Sequence, residues 1–481
     1  MTQRGVIDRR TMLRGAAALA AFSGLTAACG GRQDVARVAT DDRWRQFAGA
    51  TVNFVSENTA PTAAIAANLR PFTELTGIHV NIITLELTAL VQKVALDLAG
   101  GESQYHVIYA DPYQVLAPYS KGLVDLRELA NDPRLPGIEG GFGDFIPTQL
   151  DAVGRFGGDA VYALPYDCPT IVWQYRADLF AKHHDRMADD LGFDPTPSGE
   201  RTWEEYYRIA RWFNDNTDDV AYGTGHQAKQ HDSLMCDFSN VLWSYGGDYF
   251  GDGERVGLYG TVEPGPCRLG SDAAVEAAEF YQRLLAIADP SSRTWDWNGL
   301  APALSSGRIA MCPNWHEYAA ANEQAMPGKF AYAPMPRGPV RSANIFGGTG
   351  IAINGNTLPN ERGAAWLFAN WATSPATQLA NLKSDAGGGT PTRTSVYELP
   401  EVKRAEHRPS AMPNILTAPA VRKAWEPANI GLRPKIPMWN ECDTAIYTQL
   451  SRMLAGDVSP ADAMRETATR FDRITERGWV S

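Results

Sequence analysis

Asp159 to Phe180, DAVYALPYDCPTIVWQYRADLF, decides how the chain is read. Val161–Leu164 and Ile171–Tyr175 are rich in β-branched and aromatic residues and read as two short strands. Between them Pro165 and Pro169 bracket Tyr166, Asp167 and Cys168. Proline fixes φ and drives the residue before it extended, so the chain runs on rather than folding back, and the glycine or asparagine of a tight hairpin is missing. An extended, kinked segment carrying a carboxylate and an aromatic suits a strand passing from one sheet to another across a cleft.

Working outward, the flanks alternate strand and helix. Thr51–Val55, His79–Thr84 and Val107–Ala110 read as strands; Thr62–Leu75, disturbed by Pro71, and Ala89–Ala99, ended by Gly100-Gly101, read as helices. This rhythm implies an α/β fold with a parallel sheet whose ligands gather at the carboxyl ends of the strands. Those ends carry Ser56-Glu57-Asn58 and Asp111-Pro112-Tyr113, polar groups suited to hydroxyl recognition and equally at home in a solvated turn. Beyond the crossing, Thr202-Trp203-Glu204-Glu205 is a capping box opening a helix through Phe213. Ser233–Tyr245, Ser271–Ala288 and Asp443–Leu454 follow as helices, with another starting at Ser459-Pro460. Trp295 and Trp297 fall in a stretch without helical periodicity and read as loop residues.

A chain of 481 residues is too long for one core, and 44% hydrophobic with 21% charged residues is an ordinary globular balance. A net charge of −11 argues against nucleic acid as a partner, which needs a basic face. Arg9-Arg10 precede an apolar run, Gly15–Ala28, that is too short for a permanent membrane span and reads as a twin-arginine export signal. Leu25–Cys29 resembles a bacterial lipobox, with Thr26 where an aliphatic residue is preferred, which makes Cys29 the expected lipidation site and the membrane an expected partner. With Cys29 set aside, five cysteines remain without C-x-x-C spacing, so no metal site is expected and most read as buried thiols. Nor is any cofactor motif or G-x-S-x-G present, and no catalytic residue is assigned.

Motifs in fixed order then carry a resemblance: YADPYQ (Tyr109–Gln114), LPYDCPTIVWQYRADLF (Leu164–Phe180), TWEEYYRIARWF (Thr202–Phe213), LWSYGGDYF (Leu242–Phe250), SGRIAM (Ser306–Met311), GGTGIAIN (Gly347–Asn354), GGGTPTR (Gly387–Arg393) and PKIPMWNE (Pro434–Glu441). From about Thr51 to Phe471 the chain resembles the sugar-binding, maltose-binding-protein-like members of the extracellular solute-binding protein family that serves ABC importers. His316-Glu317 departs from the small residues common at that point. The resemblance implies a two-lobe periplasmic-binding-protein-like fold (type II) that closes by a hinge, and a monomer handing a carbohydrate to ABC permease subunits. It implies a signal over 1–28, a tether over 29–43, one lobe from 44–167 plus 345–398, and the other from 168–343 plus 399–481.

A sugar offers apolar C–H faces and a rim of hydroxyls, so its site needs flat rings and polar edges. On that chemistry Glu57, Asn58, Asp111, Asp167, Glu317 and Arg393 are the candidate hydroxyl partners, with a structural ion pair as the competing reading of Arg393. Trp315, Tyr113, Tyr166, Trp297, Trp243 and Trp439 are the candidate stacking rings, although Trp243 lies on an apolar helix that also suits the core. Gly347 and Gly348 would let backbone approach the ligand closely. A secreted carbohydrate-active enzyme or a receptor for a non-sugar solute are the alternatives.

Overall fold

The computed structural model describes residues 41–253, 255–405 and 412–478, so the signal segment 1–28 and Cys29 lie outside the described residues. Strands β1 (Thr51–Glu57), β2 (His79–Leu85) and β3 (Val107–Ala110) pair in parallel, and β4 (Ala163–Asp167) joins them as an edge strand. The second sheet holds β5 (Ile171–Arg176), β6 (Tyr222–Thr224), β7 (Ile309–Trp315) and β8 (Phe330–Ala333) in the order β6-β7-β5-β8. From β9 (Asn344–Ile345) the chain returns to the first sheet as β10 (Thr349–Ile353), which lies antiparallel between β3 and β4. A last short strand, β11 (Ile430–Gly431), pairs with β9.

Two connections therefore run between the sheets, Cys168–Thr170 outward and Phe346–Gly348 back. They are tied side by side: Gly347 N–H donates to Pro169 O at 2.9 Å and Thr170 Oγ1 donates to Ile345 O at 2.8 Å. The expected first crossing strand ends too early in the sequence reading, because β4 continues through Pro165 and Tyr166 to Asp167. An edge strand tolerates a proline, since the missing N–H points away from the ladder; here the Pro165 carbonyl accepts from Thr392 Oγ1 at 2.7 Å.

Each sheet has its own core. Val52, Phe54, Ile108, Leu164 and Ile351 pack with Trp366 and Phe368 of the helix Pro359–Ala372 on the first. Trp173, Tyr206, Phe213 and Met311 on the second merge with Ile446, Leu450 and Phe471 of the C-terminal helices. The capping box forms as read, Thr202 Oγ1 accepting from Glu205 N and Glu205 Oε2 from Thr202 N. Pro71 splits the first expected helix into Ala60–Ala67 and Arg70–Thr76. Trp297 is no loop residue: it opens the helix Trp297–Ser305, capped by Asp296, whose Oδ1 accepts from Gly299 N at 3.0 Å. Cys168, Cys236, Cys312 and Cys442 are buried free thiols and Cys267 is half-buried. Among the described residues no helix is long and apolar enough to cross a membrane.

Candidate functional site: a carboxylate-rich cavity between the sheets

The parallel strands β1, β3 and β4 end at one edge of the first sheet, and β10, running the other way, begins there. That edge presents Glu57, Asp111, Asp167 and Thr349. Facing it, β7 ends at Trp315 opposite the start of β5, and Glu317 follows in the turn His316–Tyr318. Between the two edges is a cavity of about 50 Å³, lined by these residues and by Tyr109, Asp232, Trp297 and Arg433 among others. A volume this small holds a few waters and is far below the roughly 300 Å³ at which ordinary ligand pockets begin.

Local structure fixes each group. The Trp315 indole lies against Gly347, where any Cβ would collide with the ring, so the glycine is what lets the ring reach the cavity. Trp297 meets Trp315 edge to face with centroids 6.5 Å apart. His316 clasps the outward connection: its Nδ1 accepts from Thr170 N at 3.1 Å and its Nε2 donates to Thr390 Oγ1 at 2.8 Å. Burial pushes His316 down to about 4, so it acts as a neutral clamp.

The carboxylates divide into two groups. Asp111 caps the turn after β3, its Oδ1 accepting from Tyr113 N at 2.8 Å and Gln114 N at 2.7 Å, while Oδ2 lies 3.5 Å from Arg433. Asp232 lies 3.6 Å from the same guanidinium and accepts from Gln114 Nε2 at 2.9 Å. Arg433 itself is buried flat against Tyr113, 4.1 Å from the ring centre. Glu57, Asp167 and Glu317 are also buried, yet no cation comes within ion-pairing distance of them among the described residues. Asp167 Oδ1 accepts from Thr390 N at 2.6 Å, and Glu317 lies within hydrogen-bonding reach of Asp167 while its Oε2 has no partner. Desolvation drives all three upward, Glu57 to about 8, and the Asp167–Glu317 pair holds a proton well above the usual carboxylate range.

The structure thus brings together Glu57, Asp111, Asp167, Trp297, Trp315, Glu317 and Gly347 of the residues expected from sequence. The others lie off the cavity wall. Asn58 is exposed, with its N–H spent on Leu85 O. Tyr113 is buried beneath Arg433, and Tyr166 is buried edge-on to Tyr109 with its hydroxyl 3.4 Å from Thr62 Oγ1. Gly348 faces Phe346 and Val153 rather than the cavity. Arg393 is a structural cation, paired with Asp144 at 3.1 Å and stacked on Phe145 at 4.1 Å. Trp439 is core, wedged between Tyr249 and Phe471. Trp243 lines a different cavity of about 350 Å³, in which Asp248 is taken by Trp243 Nε1 and Tyr249 N, and Arg341 by backbone carbonyls. A surface cavity of about 700 Å³ around Gln324 and Phe330 holds no comparable convergence of acids and rings. Sequence reasoning missed Arg433, Asp232 and Tyr109. The signal for Arg433 was a pair of cations, Arg433 and Lys435, inside the otherwise apolar, proline-punctuated stretch Ile430–Met438.

Residues 55–379 match the family model for bacterial extracellular solute-binding protein. The chain belongs to that family. Over 98% of its length it is 24% identical to a protein of Sinorhizobium fredii, 99% covered, named as a probable amino-acid ABC transporter periplasmic-binding protein, y4oP. It is 25% identical to the erythritol/L-threitol-binding protein of Mycolicibacterium smegmatis, with 82% of each chain covered. Its fold matches the two-lobe maltose-bound MalE3 of T. maritima at a TM-score of 0.72 and 22% identity, covering 88% of this chain and 99% of that one. This solute-binding protein thus has the mixed α/β architecture in which two lobes flank a ligand cleft.

Proposed function

We propose that this solute-binding protein captures a small polyhydroxylated solute, a sugar or polyol, between its two sheets and delivers it to an ABC import permease without altering it. The observation that carries the reading is the convergence of Trp315, seated on Gly347, with buried carboxylates from both sheets around one cavity. Rings suit the C–H faces of such a solute, and carboxyl groups suit its hydroxyls. Maltose in the T. maritima structure and the four-carbon polyols of the M. smegmatis relative are ligands of that chemistry. Since the cavity is too small for a sugar ring, binding requires the halves to part and reclose, a hinge motion for which the Cys168–Thr170 and Phe346–Gly348 connections are placed.

In this reading one lobe is 44–167 plus 345–398 and the other 168–343 plus 399–481. The export signal over 1–28 and lipidation at Cys29 would hold the monomeric protein at the outer face of the membrane, next to the permease. A carboxyl pair can also serve hydrolysis, but glycosidase pairs stand ~5 Å or more apart around the scissile bond. Asp167 and Glu317 instead lie within reach of one another. The test is a thermal-shift screen over monosaccharides, disaccharides and polyols, followed by mass spectrometry of the recovered solute. A raised melting temperature with unaltered solute is the expected result; released product, or no stabilisation by any of these compounds, overturns it.

A further inference from the structure

Three of the carboxylates lining the cavity have no counter-ion among the described residues, and this asks more of the solute than hydroxyl groups. Arg433 is the one cation among the lining residues, and its guanidinium is already shared by Asp111 and Asp232. Glu57 from the end of β1, Asp167 from the end of β4 and Glu317 from the turn after β7 are buried against the same space. Glu317 is 7% exposed, and its Oε2 is buried without a hydrogen-bond partner among the described residues. An isolated charge is costly in a desolvated place, and a cationic group on the solute would offset that cost where a hydroxyl would not. A metal ion would answer the charge, but no three His, Cys, Asp or Glu side chains among the described residues are grouped so as to hold one. An ammonium group answers both charge and geometry, because it donates up to three hydrogen bonds to acceptors on different sides.

We propose that the solute carries a protonated amine beside its hydroxyls, and that Asp167 and Glu317 bind that amine while Trp315 covers the carbon skeleton. The inference rests on the polyhydroxylated-solute reading of the same cavity. The other ionisable groups facing the trio do not supply the missing cation: Tyr109, Tyr166 and Tyr318 are phenols pushed up by burial, His316 is neutral, and Glu86 and Asp232 are acidic. Since burial favours a proton on the Asp167–Glu317 pair near neutral pH, an arriving ammonium displaces it, and capture releases a proton to the solvent.

The experiment is calorimetric titration of the full mature chain with matched pairs, D-glucosamine against D-glucose and 1-amino-1-deoxy-D-sorbitol against D-sorbitol. Each is run at pH 7 in two buffers of different ionisation heat, with N-acetyl-D-glucosamine, putrescine and calcium ion alone as further arms. The expected result is that the amine of at least one pair binds about ten-fold or more tightly than its hydroxyl partner, with net proton release, a preference lost on acetylation and narrowed by Glu317→Gln or Asp167→Asn. Neutral members binding as well as the amines overturns the amine and leaves the sugar or polyol reading standing. Putrescine binding without any sugar amine leaves the cation site and overturns the polyhydroxylated solute. Calcium binding alone, or no binding in any arm, overturns the proposal.

Discussion

On one side Asp111 and Asp232 share the Arg433 guanidinium at 3.5 and 3.6 Å; on the other, Asp167 and Glu317 lie within reach of one another, and they and Glu57 line the same cavity with no cation in ion-pairing range among the described residues. Both sides are equally buried. The first is ion-paired, with Asp111 also held by two backbone N–H groups and Arg433 lying over the Tyr113 ring, although Arg433 Nε and the Tyr113 hydroxyl have no hydrogen-bond partner among the described residues and burial raises Asp111 as well. On the second no cation offsets burial, which pushes all three carboxyl groups upward and favours their protonated forms. A carboxyl group that burial shifts strongly upward inside a cleft is a candidate for function rather than architecture.

The largest effect that would break this contrast is on the ion-paired side. Arg433→Met leaves Asp111 and Asp232 buried without a counter-ion and is expected to cost about 3–5 kcal/mol in denaturant unfolding, the usual result of removing one partner of a buried pair. A loss below 1 kcal/mol would show that the guanidinium is not what holds that side. Trp315→Ala removes the ring proposed to cover the solute. It should lower affinity ~10- to 100-fold, about 1.4–2.8 kcal/mol, with the unfolding midpoint little changed.

The side without a cation gives a pH signature. Glu57 titrates at about 8 in the folded chain against 4.5 when unfolded, so the native state holds the proton that the unfolded chain has already lost. Its contribution to stability is full below about 4.5 and is lost as the pH rises through about 8. Melting curves without added solute should therefore fall across that window, and Glu57→Gln should flatten the fall; an unchanged slope would mean Glu57 keeps its charge. Gly347→Ala is smaller and sharper, since it displaces Trp315 without touching any acid. Affinity should drop for charged and neutral solutes alike, leaving their ratio as in the wild type. Least affected of all is Trp439→Phe, which trims a core ring between Tyr249 and Phe471 and should lower the melting temperature while leaving affinity as it was.

Sequence carried the framework well because strands and helices announce themselves by period and cap. Thr202 with Glu205 is such a signal, and β1, β3 and the crossing after Asp167 followed from hydrophobic runs and prolines. Acids at strand ends were legible for the same reason, since the carboxyl edge of a parallel sheet is a place the pattern predicts. What stayed hidden lacked any period. Arg433 lies in a loop, and only its burial in three dimensions shows that it serves Asp111 and Asp232. The helix read as Asp443–Leu454 begins at Trp439 in the structure, a start that Met438 does not announce because it offers no side-chain cap. Trp297 was misplaced although Asp296 caps it, because Pro302 interrupts the helical pattern behind it. Arg393 shows the converse: a cation in a glycine-rich stretch looks ligand-directed until Asp144 and Phe145 are found around it.

The central claim is that the solute is held at the facing edges of the two sheets. Hydrogen–deuterium exchange with and without the most stabilising sugar, polyol or amino sugar tests it directly. Protection concentrated in 57–59, 167–170, 315–318 and 347–349 is the predicted result, drawn from both sheets and both connections at once. Protection confined to the Gln324–Phe330 surface cavity or to the Trp243 cavity, with those four segments unchanged, would contradict it.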